Sequence, residues 1–296
     1  MFIILGHLGL WAGFYALAAL ICFNQLSRTN DGFPLPRWEA MVCVLLTATA
    51  VYSLDRVKLF TDWLDPADIA AQPDRYSFLL RRTPAVRLLA LSLLLAAAGF
   101  GFLFHPFTPF IVLFAALSTV FYAPKARGAI ARVKDRLWLK NAYVAVGMTG
   151  FAALMSLLSG LGHMSDIFQR VLNLELDFAI AFVAVCLRVF FDAALCDIDD
   201  EPTDLAYRTE TFATSFGSRR VWHWAGLGRL LLAIGLLVAL PLPLAARALW
   251  SAAMLLGMIA LRWRHPVRIR DTVDIRFLPE AAFVTIVLWL FFASNS

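Results

Sequence analysis

Residues 174–208 read LELDFAIAFVAVCLRVFFDAALCDIDDEPTDLAYR, and the fold turns on how this stretch changes character along its length. Residues 174–195 are predominantly apolar and long enough to cross a hydrocarbon core roughly 30 Å thick. Acids follow at once: Asp197, Asp200 and Asp204 are spaced by three and four, which on a helix turns all three carboxylates to one face. Asp192 lies deeper among apolar residues, with Arg188 one turn earlier. An ionisable residue inside a membrane is costly enough to mark a site or a structural ion pair. The stretch therefore predicts a transmembrane helix that delivers a carboxylate cluster to one membrane surface.

Similar apolar blocks recur along the chain, at about 2–23, 38–54, 87–104, 107–123, 139–160, 222–240, 243–261 and 278–293. With 174–195 they predict an all-α polytopic bundle of nine transmembrane helices, forming one domain over residues 1–296. Composition agrees. The chain is 61% hydrophobic and 16% charged, against about 45–50% and 25% in soluble domains. Nine spans leave no room for a sizeable water-soluble domain. Pro106 and Pro109 mark a tight turn between the third and fourth spans, and Pro241–Pro243 divides the seventh from the eighth unless the two form one long broken span. The opening MFIILGHLGLWAGFYALAALICF lacks a basic leader and is expected to be a retained first span. Cys22, Cys43, Cys186 and Cys196 form no CxxC pair and are expected to be buried free thiols.

Charge sets the orientation. Segments 55–87, 124–140, 208–220 and 262–276 hold 20 of the 26 Lys and Arg, and the opposite loops hold only Arg28, Arg37, Arg170 and Arg247. The positive-inside bias then places the N-terminus and the basic loops in the cytoplasm and the C-terminus outside, in an inner or plasma membrane. The net charge of +5 is thus accounted for by topology, and nucleic acid is not an expected partner.

Both acid-rich segments emerge on that cytoplasmic side. The first, YSLDRVKLFTDWLDPADIAAQPDRYSFLLRR, carries Asp55, Asp62 and Asp65 interleaved with Arg56 and Lys58. Taken alone it also reads as a solvated loop. Clustered carboxylates repel one another unless a cation joins them, and magnesium takes oxygen ligands while leaving room for phosphates. Two such patches with Lys134, Lys140 and Arg208 nearby suit the metal-assisted ionisation of a diphosphate, with apolar helices behind to hold a hydrocarbon tail.

The residues also carry a likeness. Asp192, the D-x-x-D-x-x-x-D set Asp197/Asp200/Asp204, then Thr211 and Gly217, with Arg208 standing where a glycine is usual, resemble the second motif of the UbiA-type intramembrane prenyltransferases. The segment KDRLWLKNAYVAVG, with Lys134, Lys140 and Asn141, is similar too. The first motif of that family, N-D-x-x-D-x-x-x-D at the end of the second span, falls on Val51, Tyr52, Asp55 and Leu59, so one acid stays in register. The resemblance spans the chain. It implies magnesium-dependent transfer of a prenyl group from an isoprenyl diphosphate to a small lipophilic, aromatic or cyclic acceptor within the membrane lipid. Asp55, Asp192, Asp197, Asp200 and Asp204 would be catalytic, with magnesium held by Asp55, Asp62, Asp197, Asp200 and Asp204. Arg56, Lys58, Lys134, Lys140, Asn141 and Arg208 would contact substrate. Asp55 and Asp62 are seven apart, about 10.5 Å along a continuous helix, so sharing one ion needs the helix to break near Phe60. A transporter, or a silent relative that binds prenyl lipid without turnover, uses the same residue types.

Overall fold

The computed structural model describes residues 6–27, 35–60, 64, 66–122, 136–159, 176–239, 244–264 and 269–293. Within them the chain is helical: α1 (Leu10–Ser27), α2 (Trp38–Val57), α3 (Pro66–Ala71), α4 (Pro73–Leu80), α5 (Thr83–Phe104), α6 (Thr108–Tyr122), α7 (Leu137–Ser159), α8 (Leu176–Tyr207), α9 (Phe212–Phe216), α10 (Ser218–Val238), α11 (Leu244–Arg264) and α12 (Ile269–Ala293). Seven of these are long and apolar enough to cross a membrane, and α6 holds a shorter apolar stretch, Thr108–Thr119. The protein is an integral membrane helical bundle.

Helix α1 is its axis. It packs against α2, α7, α8, α11 and α12, and its small residues Ala12, Gly13, Ala16, Ala18 and Ala19 are buried. Small side chains let helix backbones approach where lipid supplies no hydrophobic drive. A Cβ on Gly13 would meet Thr49 Oγ1 and lie 2.9 Å from the Leu45 carbonyl oxygen, so glycine sets the α1–α2 crossing. Polar pairs add direction. Trp250 Nε1 donates to Gln25 Oε1 at 3.0 Å, Gln25 Nε2 donates to Thr285 Oγ1 at 2.9 Å, and Ser156 donates to Asn24 Oδ1 at 2.9 Å. Helix α5 has the opposite character. Leu88, Leu95, Phe102 and Leu103 are all exposed on it, as a lipid-facing helix requires.

Several sequence expectations change in detail. Helix α2 ends at Val57, before Phe60, because Lys58 takes a positive φ of 51°. That backbone is strained for a residue with a Cβ, and Arg87 secures it by donating to the Lys58 carbonyl at 2.8 Å and the Val57 carbonyl at 3.2 Å. Residues 222–240 and 243–261 fall on two separate helices, α10 and α11, that pack together. The last helix starts at Ile269, nine residues before the apolar block from 278, and so carries Arg270, Asp271, Asp274, Arg276 and Glu280 in helical register. All four cysteines are free; Cys22 and Cys43 are buried, and Cys186 and Cys196 are only partly covered.

Candidate functional site

Helix α8 runs unbroken through its acidic stretch to Tyr207, so Asp197, Asp200 and Asp204 share a helical frame. Its end has a definite geometry. The Thr209 amide bonds the Asp204 carbonyl at 2.9 Å and the Arg208 amide reaches back to the Leu205 carbonyl at 3.3 Å, the paired bonds of a Schellman stop. That stop needs a left-handed residue, and Arg208 supplies it with φ 57°. Arg208 thus holds a backbone conformation that favours glycine. Thr211 and Gly217 also have backbone roles. Thr211 caps α9 in a reciprocal box with Thr214, and Gly217, φ 83°, turns the chain into α10.

Each acid on α8 meets a different neighbour. Asp197 is buried, accepting from Lys140 Nζ at 2.5 Å and Asn141 Nδ2 at 3.1 Å, both on α7. Asp200 is paired with Arg270 of α12, whose backbone amide also bonds Asp199 at 2.9 Å. Asp204 is buried, with one oxygen, Oδ2, lacking a hydrogen bond. All three acids lie within electrostatic range of Lys140.

The first acidic segment comes to the same end of the bundle. Helix α3, which carries Asp68, packs against α8. Tyr122, at the end of α6, stacks on Tyr143 with centroids 5.5 Å apart, and it feels the charges of Lys140, Asp55, Asp197 and Asp68 together. Asp55 is paired with Lys58 at 2.5 Å, and Lys58 is buried. Arg56 donates to the Tyr52 hydroxyl at 2.7 Å and stacks on that ring. Helix α4 brings in Arg75, which reaches Gln72 at 2.5 Å and Asp271 at 3.3 Å. Burial pulls the Arg75 guanidinium down from its ordinary value and pushes the Tyr76 phenol up, so Tyr76 stays neutral.

Asp192 lies deeper in the bundle than the acids that follow it on α8, as its apolar surroundings in the sequence suggest. It is buried, accepts from Tyr15 at 2.8 Å, and is paired with Arg229 of α10 and with Arg276 of α12 at 3.1 Å. Arg188 lies 3.8 Å from Asp192, but its closer partner is Glu280, and it stacks on Phe277 at 3.6 Å. The expected in-span pair is thus a five-member ionic network joining three helices. Arg208 is exposed on its turn. Asp62 and Lys134 lie outside the described residues. Tyr143 donates to the Ser118 carbonyl at 2.8 Å and packs on Tyr122.

Sequence reasoning missed Arg75, Tyr122, Arg270, Arg276 and Glu280. Arg276 and Glu280 are four apart and pair on one helix face, a spacing that would have extended the last helix back through the charged stretch.

Among the described residues no three His, Cys, Asp or Glu side chains gather to hold a metal ion. At the α8 end Asp197 and Asp200 are engaged by Lys140 and Arg270, and Asp204 keeps one buried oxygen without a hydrogen bond. At the α2 end Val51 and Leu59 offer no ligand atom and Asp55 is engaged by Lys58. Compared with protein-family models, curated proteins and solved structures, the chain matches none of them.

Proposed function

We propose that this protein is a UbiA-like bundle of nine spans, with its N-terminus in the cytoplasm, that transfers a prenyl group from an isoprenyl diphosphate to a small lipophilic acceptor. The observation that supports the reading is that α3, the helix of Asp68, packs against α8, where Asp197 is paired with Lys140 at 2.5 Å. Acids from two distant segments thus come to one end of a bundle apolar enough to take a hydrocarbon tail. Lys140 and Arg270 are placed to stabilise negative charge as the C–O bond of the diphosphate breaks. Asp197 orients Lys140 by accepting from its Nζ, and Asn141 holds Asp197 by donating to its other oxygen. Magnesium bound at Asp197, Asp200 and Asp204 would supply further neutralisation of the leaving diphosphate.

The test is turnover. Purified full-length protein in lipid nanodiscs is given isoprenyl diphosphates of several lengths, a panel of phenolic and quinol acceptors, and magnesium. Diphosphate release with a prenylated product, lost in Asp197→Asn, is the expected result. No release with any chain length or acceptor would overturn the enzyme reading.

One observation favours a second reading, a relative that binds prenyl lipid without turnover: Asp197 and Asp200 are already paired with Lys140 and Arg270. Saturable prenyl-diphosphate binding with no release in that assay identifies it.

A further inference from the structure

Helix α10 is divided along its length. Val221, Ala225, Arg229, Leu232 and Leu236 turn inward and are buried. Arg220, Trp224, Leu227, Leu231, Ile234 and Val238 recur every three or four residues on the other side, and all six are exposed. Because α10 is long and apolar enough to cross a membrane, that outer stripe meets lipid.

The polar end of the stripe is layered. Leu227 is its first aliphatic residue. Trp224 lies about 4.5 Å from it toward the helix start, and Arg220 about 10.5 Å. The interfacial layer on each side of the hydrocarbon core is roughly 5–8 Å deep. Trp224 therefore stands in the layer that favours an indole ring, and Arg219 and Arg220 stand at the depth of lipid phosphates. Phe216 of α9 packs on Trp224 with ring centroids 4.7 Å apart, which holds the indole in place.

These two arginines have no counter-charge of their own. Both are exposed, and among the described residues neither has a carboxylate in ion-pair contact. Helix α10 contains no acid, and Glu201, which reaches its first turn from α8, is bonded to the Ser218 hydroxyl. On the preceding turn Arg208 and Glu210 are both exposed, so they add no net charge. Cations in a first helical turn also face the positive end of the dipole, where an anion is favoured. Guanidinium is the side chain whose paired N–H donors match phosphate oxygens.

We infer that the start of α10 binds the headgroup of one anionic phospholipid, with its phosphate on Arg219 and Arg220, its glycerol region against Trp224 and an acyl chain along Leu227, Leu231 and Ile234. A lipid fits better than a free phosphate because the apolar stripe continues directly from the arginines, and a soluble anion would leave it unused. The inference stands independently of the prenyl-diphosphate reading.

The probe is brominated lipid. Full-length protein is placed in nanodiscs of phosphatidylcholine and phosphatidylglycerol, with bromine on the acyl chains of one lipid or the other. Quenching of Trp224 is taken as the difference between the parent and Trp224→Phe. Brominated phosphatidylglycerol should quench Trp224 well beyond its share of the lipid. Each arginine should contribute about fivefold to that preference, so Arg219→Gln with Arg220→Gln should return it to the bulk ratio. Raised salt should weaken the preference in the parent without any substitution. Equal quenching by both lipids would mean an unselective lipid annulus and refute the site. A preference that survives the double variant or high salt refutes it as well, and one that inorganic phosphate abolishes would assign the arginines to a soluble anion instead.

Discussion

The bundle has two charged regions, and they are built on opposite terms. The deep one joins Tyr15, Arg188, Asp192, Arg229, Arg276 and Glu280, all buried or nearly so, with Arg188 and Arg229 wholly inaccessible. The outer one lies where α2, α7, α8 and α12 end or begin, and there Asp55, Arg56, Asp200 and Arg270 keep part of their surface. In the deep region every acid faces more than one cation. In the outer region Asp55, Asp197 and Asp200 are each paired with a different cation, Lys58, Lys140 and Arg270, and Asp204 keeps a bare oxygen. Charges that hold helices together in lipid are saturated by one another.

The largest expected effect tests the deep region. Asp192→Ala leaves Arg229 and Arg276 without their shared carboxylate, and breaking a buried pair costs about 3–5 kcal/mol. Stability measured by denaturant titration in mixed micelles should fall by that amount. A loss near zero would mean that the network is not what holds α8 to α10 and α12.

Next is packing around the same network. A Cβ on Gly257 would run into the Glu280 carboxylate and approach Arg276 Cδ at 3.2 Å. Gly257→Ala should destabilise by about 1–3 kcal/mol through overpacking, read in the same titration. A neutral result would show that Glu280 has room to move.

Asp200→Ala tests the outer region. On the proposed function, prenyl transfer at saturating magnesium should drop about tenfold or more, as for a lost metal ligand, while the denaturation midpoint stays close to that of the parent. Retained turnover would remove the α8 acids from the metal role.

The smallest effect concerns the turn that ends α8. Arg208 holds a left-handed φ of 57°, and Arg208→Gly should stabilise by about 1 kcal/mol by relieving that strain. If Arg208 contacts substrate, the same variant also weakens diphosphate binding, which separates a backbone role from a chemical one.

Seven of the nine expected spans fall on helices long and apolar enough to cross a membrane, legible because apolar blocks are local signals; the block at 107–123 gives a shorter apolar helix, and α12 is not among the seven. The start of α12 was not legible, because the charges of 269–277 lower the hydropathy of a stretch that is nonetheless helical. The outer site was half legible. Spacing put Asp197, Asp200 and Asp204 on one helix, and the glycine-like place of Arg208 foreshadowed its backbone. Their partners were hidden by distance along the chain: Asp200 meets Arg270 and Asp192 meets Tyr15 across the bundle. Nothing in a linear pattern marks such meetings, which follow from how α1, α8 and α12 pack.

The ionic network also has a consequence for the order of synthesis. Helix α8 carries Arg188 and Asp192 one turn apart, and α12 carries Arg276 and Glu280 one turn apart. A charge at the centre of an inserting helix costs about 2.5–3.5 kcal/mol, and a partner on the same face offsets part of it, so α8, one of the seven helices able to cross a membrane, enters the bilayer partly neutralised. Helix α10 has Arg229 and no acid of its own. It leaves the ribosome after α8, when Asp192 is already in the membrane to receive that arginine. A circular permutant that makes α10 before α8 would send Arg229 into lipid with no counter-charge waiting.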